Sequence, residues 1–263
     1  MELVDTQDLK SCVFADVRVQ VPSGVHRKPL MKMRGFFYLY LIRLMFNLQI
    51  IYEDDILLVC NKPAGLMVEP DRNNHPNLLQ QVKNYLKEKT GDKNPYVQHL
   101  HRLDRVTSGI VIFNKQKEYL RNLSEQFAQR QVSKYYIALT DKAPEQKEGL
   151  LEHWHRKEKK KAVLVPEGTE YAEKAKLEYT ITPHGNNFLW NIQLHTGKYH
   201  QIRIQLASIG CPILGDELYG STKSYKANAI ALHAPKLIIE HPVSGKEMVF
   251  EALNGDFDNV LMQ

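Results

Sequence analysis

Two stretches of alternating hydrophobicity constrain the fold more than any other feature. Leu177, Tyr179 and Ile181 alternate with polar residues, and Phe188, Trp190, Ile192 and Leu194 keep the same period. A period of two lines these side chains up on one face of a strand, whereas a helix would scatter them. Pro183-His184-Gly185-Asn186-Asn187 lies between them, so the spacing predicts an antiparallel hairpin. Shorter apolar runs at Ile56–Cys60, Lys134–Leu139, Leu237–Ile239 and Met248–Ala252 read as further strands. Gly109–Phe113 has no polar alternation and reads as a strand buried on both faces.

Helical spacing interrupts these strands. Leu78, Leu79, Val82, Tyr85 and Leu86 follow it, with Gly91 as the stop. Leu120, Leu123 and Phe127 would form the inner stripe of a second helix, capped by Asn114. Tyr199, Ile202, Leu206 and Ile209 define a third, ended by Gly210. This order of elements predicts an α+β fold, a mixed and mainly antiparallel sheet with flanking helices.

Length and composition bound the rest. The chain has 263 residues, of which 43% are hydrophobic, enough for a real core. A net charge of +5 leans toward anionic partners, although a solvated lysine-rich face gives the same total. Cys12, Cys60 and Cys211 lie far apart with no CxxC, which fits a reducing, cytoplasmic setting without a disulfide framework. The apolar stretch Phe36–Ile51 contains Arg43 and is too short for a membrane span; it reads as a strand or helix packed on the domain edge. Residues 1–47 are accordingly expected to be an N-terminal extension, partly disordered or packed on that edge. Residues 48–263 form the catalytic domain on this reading.

Polar residues cluster in four places: Lys62-Pro63-Ala64-Gly65, His101–Gly109, Lys134-Tyr135-Tyr136 and Thr196–Arg203. All fall at strand ends or helix starts, where sites assemble. In the second cluster Asp104 stands between Arg102 and Arg105. A carboxylate among guanidinium groups stays ionised, as a nucleophile, a base or a salt-bridge partner. No second acid lies in these segments to form a dyad with it, which speaks against glycoside hydrolysis.

Together these segments resemble the RluA-type family of RNA pseudouridine synthases. His101-Arg102-Leu103-Asp104-x-x-Thr107-Ser108-Gly109 matches the family motif around the catalytic aspartate. The resemblance runs from about Ile51 to Leu253. It takes in Lys62–Gly65, Lys134-x-Tyr136, Thr196-Gly197-Lys198-x-His200-Gln201-Ile202-Arg203, Gly215-Asp216-x-x-Tyr219-Gly220, Ala231–Ala234 and His241-Pro242. It implies a pseudouridine-synthase-like domain that detaches uracil from its ribose, turns it and rejoins it through carbon 5. It also implies that neither a metal nor an organic cofactor takes part.

On the resemblance, Asp104 is the catalytic aspartate, Arg203 its basic partner, and Tyr136 the tyrosine beside the uracil. Arg102 resembles the arginine that fills the gap left by a flipped nucleotide. Lys62, Arg105, Lys134 and Lys198 become RNA phosphate contacts. The implied partner is structured RNA, ribosomal or transfer; neither a membrane nor an obligate protein partner is implied, and a monomer is expected. Two departures stand out. Gln205 replaces a histidine found in many members, and the first 47 residues do not look like an S4 RNA-binding module.

Competing readings remain. Tyr135 competes with Tyr136, because a one-residue slip reverses the face. The run Arg156–Lys161 is either a solvated hairpin loop or a grip on RNA phosphates. His99-x-His101 and His153-x-His155 raise a metal-dependent hydrolase, although no cysteine or third ligand lies nearby. A non-catalytic RNA-binding protein would share every basic residue.

Overall fold

The computed structural model describes residues 48–252, Asn74 excepted. The expected N-terminal extension 1–47, including most of Phe36–Ile51, lies outside the described residues. The last three residues of that stretch, from Gln49, begin strand β1 (Gln49–Glu53).

The strands are β1, β2 (Leu57–Lys62), β3 (Gln98–His99), β4 (Ser108–Asn114), β5 (Ser133–Thr140), β6 (Glu148–Glu158), β7 (Lys161–Val165), β8 (Glu173–His184), β9 (Asn187–Leu194), β10 (Leu232–Glu240) and β11 (Glu247–Glu251). The helices are α1 (Leu78–Thr90), α2 (Leu120–Ala128) and α3 (Gln201–Ser208). One sheet runs in the order β1-β2-β4-β10-β5-β9-β8-β6-β7, with β11 on β10 and β3 on β4. Among these strands, β4 with β10 is the only parallel pair; an isolated parallel bridge also joins Met67 to Asn77. The fold is therefore the mixed, mainly antiparallel α+β arrangement read from the sequence.

Burial explains which signals were legible. From Gly109 to Asn114 every residue of β4 is buried between β2 and β10, hence the absence of polar alternation. Ile110 and Ile112 share a core with Leu57 and Val59 of β2, Leu123 of α2, and Leu237 and Ile239 of β10. At the parallel junction Gly109 adopts φ +124°, and a Cβ there would stand 2.4 Å from the Ala234 carbonyl oxygen. Glycine is required by both the backbone angle and the close approach. In β9, Trp190 is fully buried and donates Nε1–H to Thr140 Oγ1 at 2.7 Å, so its polar end is satisfied inside the core.

The expected helix α1 has its full set of end signals. Asn77 accepts the Gln80 N–H at 2.9 Å, and Gly91 ends the helix in the left-handed conformation. The cap expected for α2 is corrected. Asn114 stays in β4 and folds a local turn, accepting from Gln116 N at 3.0 Å, while a 3₁₀ turn at Lys117–Tyr119 starts the helical segment. A cap must stand directly before the first turn, and Asn114 lies too far upstream. Pairing in the β8–β9 hairpin continues to His184↔Asn187, so its turn is only Gly185-Asn186, shorter than expected. The run 156–161 is a hairpin tip joining β6 to β7, two strands the periodicity did not reveal.

Candidate active site

Asp104 lies in the turn between β3 and β4, and three contacts fix that turn. Thr107 N–H donates to the Asp104 carbonyl at 3.1 Å, Gly65 N–H to the Arg105 carbonyl at 2.7 Å, and Ile230 N–H to the Val106 carbonyl at 3.1 Å. Lys62 adds to the same clamp from the end of β2. Its Nζ donates to the carbonyls of Pro63 at 2.9 Å, Leu66 at 2.7 Å and Arg105 at 3.3 Å. Lys62 is fully buried, and burial pulls its pKa down to about 7. The phosphate contact expected at Lys62 is therefore corrected. Its three donors are spent on backbone carbonyls, and it has no face toward solvent.

The carboxylate meets Arg203, carried on the first turn of α3. Arg203 Nη1 donates to Asp104 Oδ2 at 3.2 Å. The rest of the guanidinium is held by Asp216, Nε to Oδ2 at 2.7 Å and Nη2 to Oδ1 at 2.8 Å. Burial opposes the Arg203 charge, but Asp216 and Asp104 outweigh it and raise its pKa. The loop leading into α3 is fixed through Gln201, whose side chain takes bonds from Thr196 Oγ1 at 2.7 Å and Lys198 N–H at 3.1 Å.

Asp104 and Arg203 line a cleft of about 660 Å³ together with Tyr136 of β5. Burial, and then the Asp104 charge, pushes the Tyr136 hydroxyl well above its usual pKa. Tyr135, the competing tyrosine, does not line this cleft, because neighbours on a strand point to opposite faces. Arg102, Lys134 and Lys198 line the cleft as well. Arg102 also pairs with Glu69, and Lys198 with Glu173. These are partly exposed pairs that cost little to exchange for a phosphate. Lys134 is held below its normal pKa by burial, then by Arg130 and Lys198. Arg105 is exposed outside the cleft and donates Nε–H to the Gly65 carbonyl at 3.1 Å.

The histidines of the two pairs meet other partners, His99 with Glu69 and His153 with Gln205. His101 stacks on Phe127 with ring centroids 5.1 Å apart, and burial lowers its pKa to about 3. His155 lies 3.1 Å from the Glu173 carbonyl and 3.3 Å from that of Tyr199. Among the described residues no group of three or more His, Cys, Asp or Glu side chains could hold a metal ion. Gln205 is buried and its Nε2 donates to the carbonyls of Leu151 at 3.1 Å and Ala175 at 3.3 Å, tying α3 to β6 and β8.

Sequence reasoning gave no role to Asp216, His200, Tyr219, Arg130 or Lys157 individually. Asp216 and Tyr219 did carry a signal. They lie between Gly215 and Gly220, both in left-handed conformation, outside any hydrophobic period.

The architecture matches solved structures. The human protein described as RNA pseudouridylate synthase domain containing 4 superposes with a TM-score of 0.66 at 24% identity, over 87% of this chain and 95% of that one. Human RNA pseudouridylate synthase domain containing 1 gives 0.61 at 20% identity, over 79% and 84%. The fold is thus that of the pseudouridylate synthase catalytic domains. In sequence, a family model described as RNA pseudouridylate synthase matches residues 56–208. The dual-specificity RNA pseudouridine synthase RluA of Escherichia coli (strain K12) is 32% identical over 213 residues, 78% of this chain and 92% of that protein. Ribosomal large subunit pseudouridine synthase D of Zymomonas mobilis is 34% identical over 221 residues, 78% of this chain and 68% of that protein. The chain belongs to the RNA pseudouridylate synthase family, isomerases that convert uridine to pseudouridine in RNA.

Proposed function

We propose that the protein isomerises specific uridines in structured ribosomal or transfer RNA, as a monomer in the cytoplasm, with residues 48–263 as the catalytic unit. Asp104 acts at the anomeric carbon of the flipped uridine. The bond from that carbon to N1 of the base breaks, and one to carbon 5 forms. Carbon 5 then gives up its proton and N1 gains one, so atoms balance without a cofactor. Tyr136 lies beside the base, where its hydroxyl relays the carbon 5 proton. Arg203 fixes the carboxylate, and Arg102 fills the space the uridine leaves in the RNA stack. Lys134, Lys198 and Arg105 hold phosphates.

The observation that carries this reading is the Arg203–Asp104 contact at 3.2 Å inside a cleft lined with basic side chains. No helix among the described residues is long and apolar enough to cross a membrane. The test uses RNA from cells lacking the gene. Purified protein should introduce pseudouridine at discrete positions, mapped chemically, and Asp104→Asn should introduce none while still binding that RNA. An active Asp104→Asn variant would sink the mechanism.

A further inference from the structure

His200 stands just before the first turn of α3, with φ 53° and ψ 27°. A histidine in the left-handed region carries backbone strain, which persists only where the surroundings impose it. Here they form an aromatic clamp. Tyr199 stacks on the imidazole with centroids 3.8 Å apart and planes 17° apart, and Tyr219 meets it edge-on at 5.7 Å. Both ring nitrogens face a polar group. Nδ1 lies 2.9 Å from the Tyr219 hydroxyl oxygen, and Nε2 lies 3.6 Å from Asp104 Oδ2.

The proton positions follow from the chain of donors. Tyr219 Oη accepts the Ala162 N–H at 2.7 Å. With that acceptor position filled, the arrangement that uses every group has the Tyr219 O–H donating to His200 Nδ1 and the ring hydrogen on Nε2, facing the Asp104 carboxylate. The ring is neutral at pH 7, because burial, outweighing the Asp104 charge, lowers its pKa to about 4. Nε2–H therefore points at Oδ2 of Asp104, the same oxygen that Arg203 Nη1 holds at 3.2 Å. At 3.6 Å the His200 contact is longer than a hydrogen bond, as is common before substrate closes a site. No described residue donates to Asp104 Oδ1.

We infer that His200 is a positioning residue for the isomerisation: as substrate closes the site its Nε2–H joins Arg203 on Oδ2 of Asp104 and leaves Oδ1 as the oxygen presented to the ribose. This rests on Asp104 being the reacting carboxylate. One donor would let the carboxyl plane swing; donors from two directions on one oxygen fix it. Tyr219 acts one step further out, by setting the tautomer that makes Nε2 the donor.

The experiment compares His200→Asn with His200→Gln in single turnover. The substrate is total RNA, labelled with tritium at uridine carbon 5, from cells lacking the gene. Asparagine tolerates the left-handed backbone and can accept from Tyr219, but it is too short to reach Asp104. Its tritium release should slow about 100-fold, the effect of misplacing a reacting group by about 1 Å, with RNA affinity and thermal midpoint unchanged. Glutamine places an N–H where Nε2 stood and should recover at least about tenfold of that loss. Wild-type rates in His200→Asn, or equal slowing in both folded variants, would overturn the inference. If His200→Asn does not fold, Tyr219→Phe replaces it: slowing at unchanged RNA affinity supports the tautomer argument, and a wild-type rate overturns it. Asp104→Asn is run alongside. Its activity would refute the role of Asp104 itself, a different failure from an inert His200.

Discussion

Asp216 grips Arg203 by two hydrogen bonds, at 2.7 and 2.8 Å, and leaves Nη1 of that guanidinium for Asp104 at 3.2 Å. Both members are almost fully buried, so neither charge has water as an alternative partner. Asp216→Ala would strand a buried guanidinium, which costs about 3–5 kcal/mol when one partner of such a pair is removed. Urea unfolding should show that loss. Asp216→Asn keeps one acceptor and should be milder in stability, yet still slow turnover, because Arg203 is no longer aimed.

Tyr136 tests the division of labour in the cleft. Tyr136→Phe keeps the ring and removes the hydroxyl. Loss of a general acid–base group lowers turnover about 10²–10⁴-fold. On the proposed mechanism RNA affinity should not change, since the ring is kept. Equal turnover in the two proteins would remove the hydroxyl from the mechanism.

Lys62 and Lys134 are both basic, but they should differ in how RNA binding responds to salt. Each lost phosphate contact lowers the slope of log affinity against log salt by about 0.7–0.9. Lys134→Gln should show that drop. Lys62→Met should not, because Lys62 faces backbone carbonyls and no solvent. Filter binding across a salt series separates the two.

Glu53, which does not line the cleft, makes a pH-dependent contribution to stability. Burial pushes its pKa up, but hydrogen bonds from Lys115, Lys89 and Tyr85 win and bring it down to about 2. A carboxyl with a depressed folded-state pKa stabilises the protein above its unfolded pKa, near 4.3. That contribution fades as pH falls from there through 2. Wild type should exceed Glu53→Gln by about 1–3 kcal/mol at pH 7, with the gap narrowing at pH 3. A gap that does not change with pH would show that the lysines do not discriminate the charged form.

Gly109→Ala should be among the costliest single-methyl changes. The new Cβ would meet the Ala234 backbone at 2.4 Å with φ at +124°. Strain and overpacking together cost about 2–6 kcal/mol. The loss should appear in thermal unfolding before any assay of activity, because β4 and β10 meet there.

The elements read most directly are those whose signal lies within one segment. The β8–β9 hairpin follows from its period of two, β4 from an apolar run without alternation, and α1 from an apolar stripe with a glycine stop. The β6–β7 ladder carries no such signal, for the converse reason. It lies at the sheet's end, and in β6 only Leu151 and His155 are buried, so too few positions are apolar to mark a period. Asn114 suits a helix cap and a local turn equally as a residue type, and the sequence does not mark Lys117 as the start of the helical segment, which is what rules the cap out.

What the sequence determined by itself is the chemistry available: one carboxylate among arginines, a tyrosine on a strand, an arginine on a helix, and the family to which they belong. Tertiary structure decided which of these groups meet. Lys62 and Lys134 are equal as letters, yet one is a buried donor to three carbonyls and the other lines the cleft. Asp104 stands 99 positions from Arg203, and Asp216 only 13 beyond it; the three become one carboxylate–guanidinium–carboxylate row only when the turn before β4 meets α3. Burial and hydrogen-bond partners are properties of that assembly, so no reading of segments taken singly supplies them.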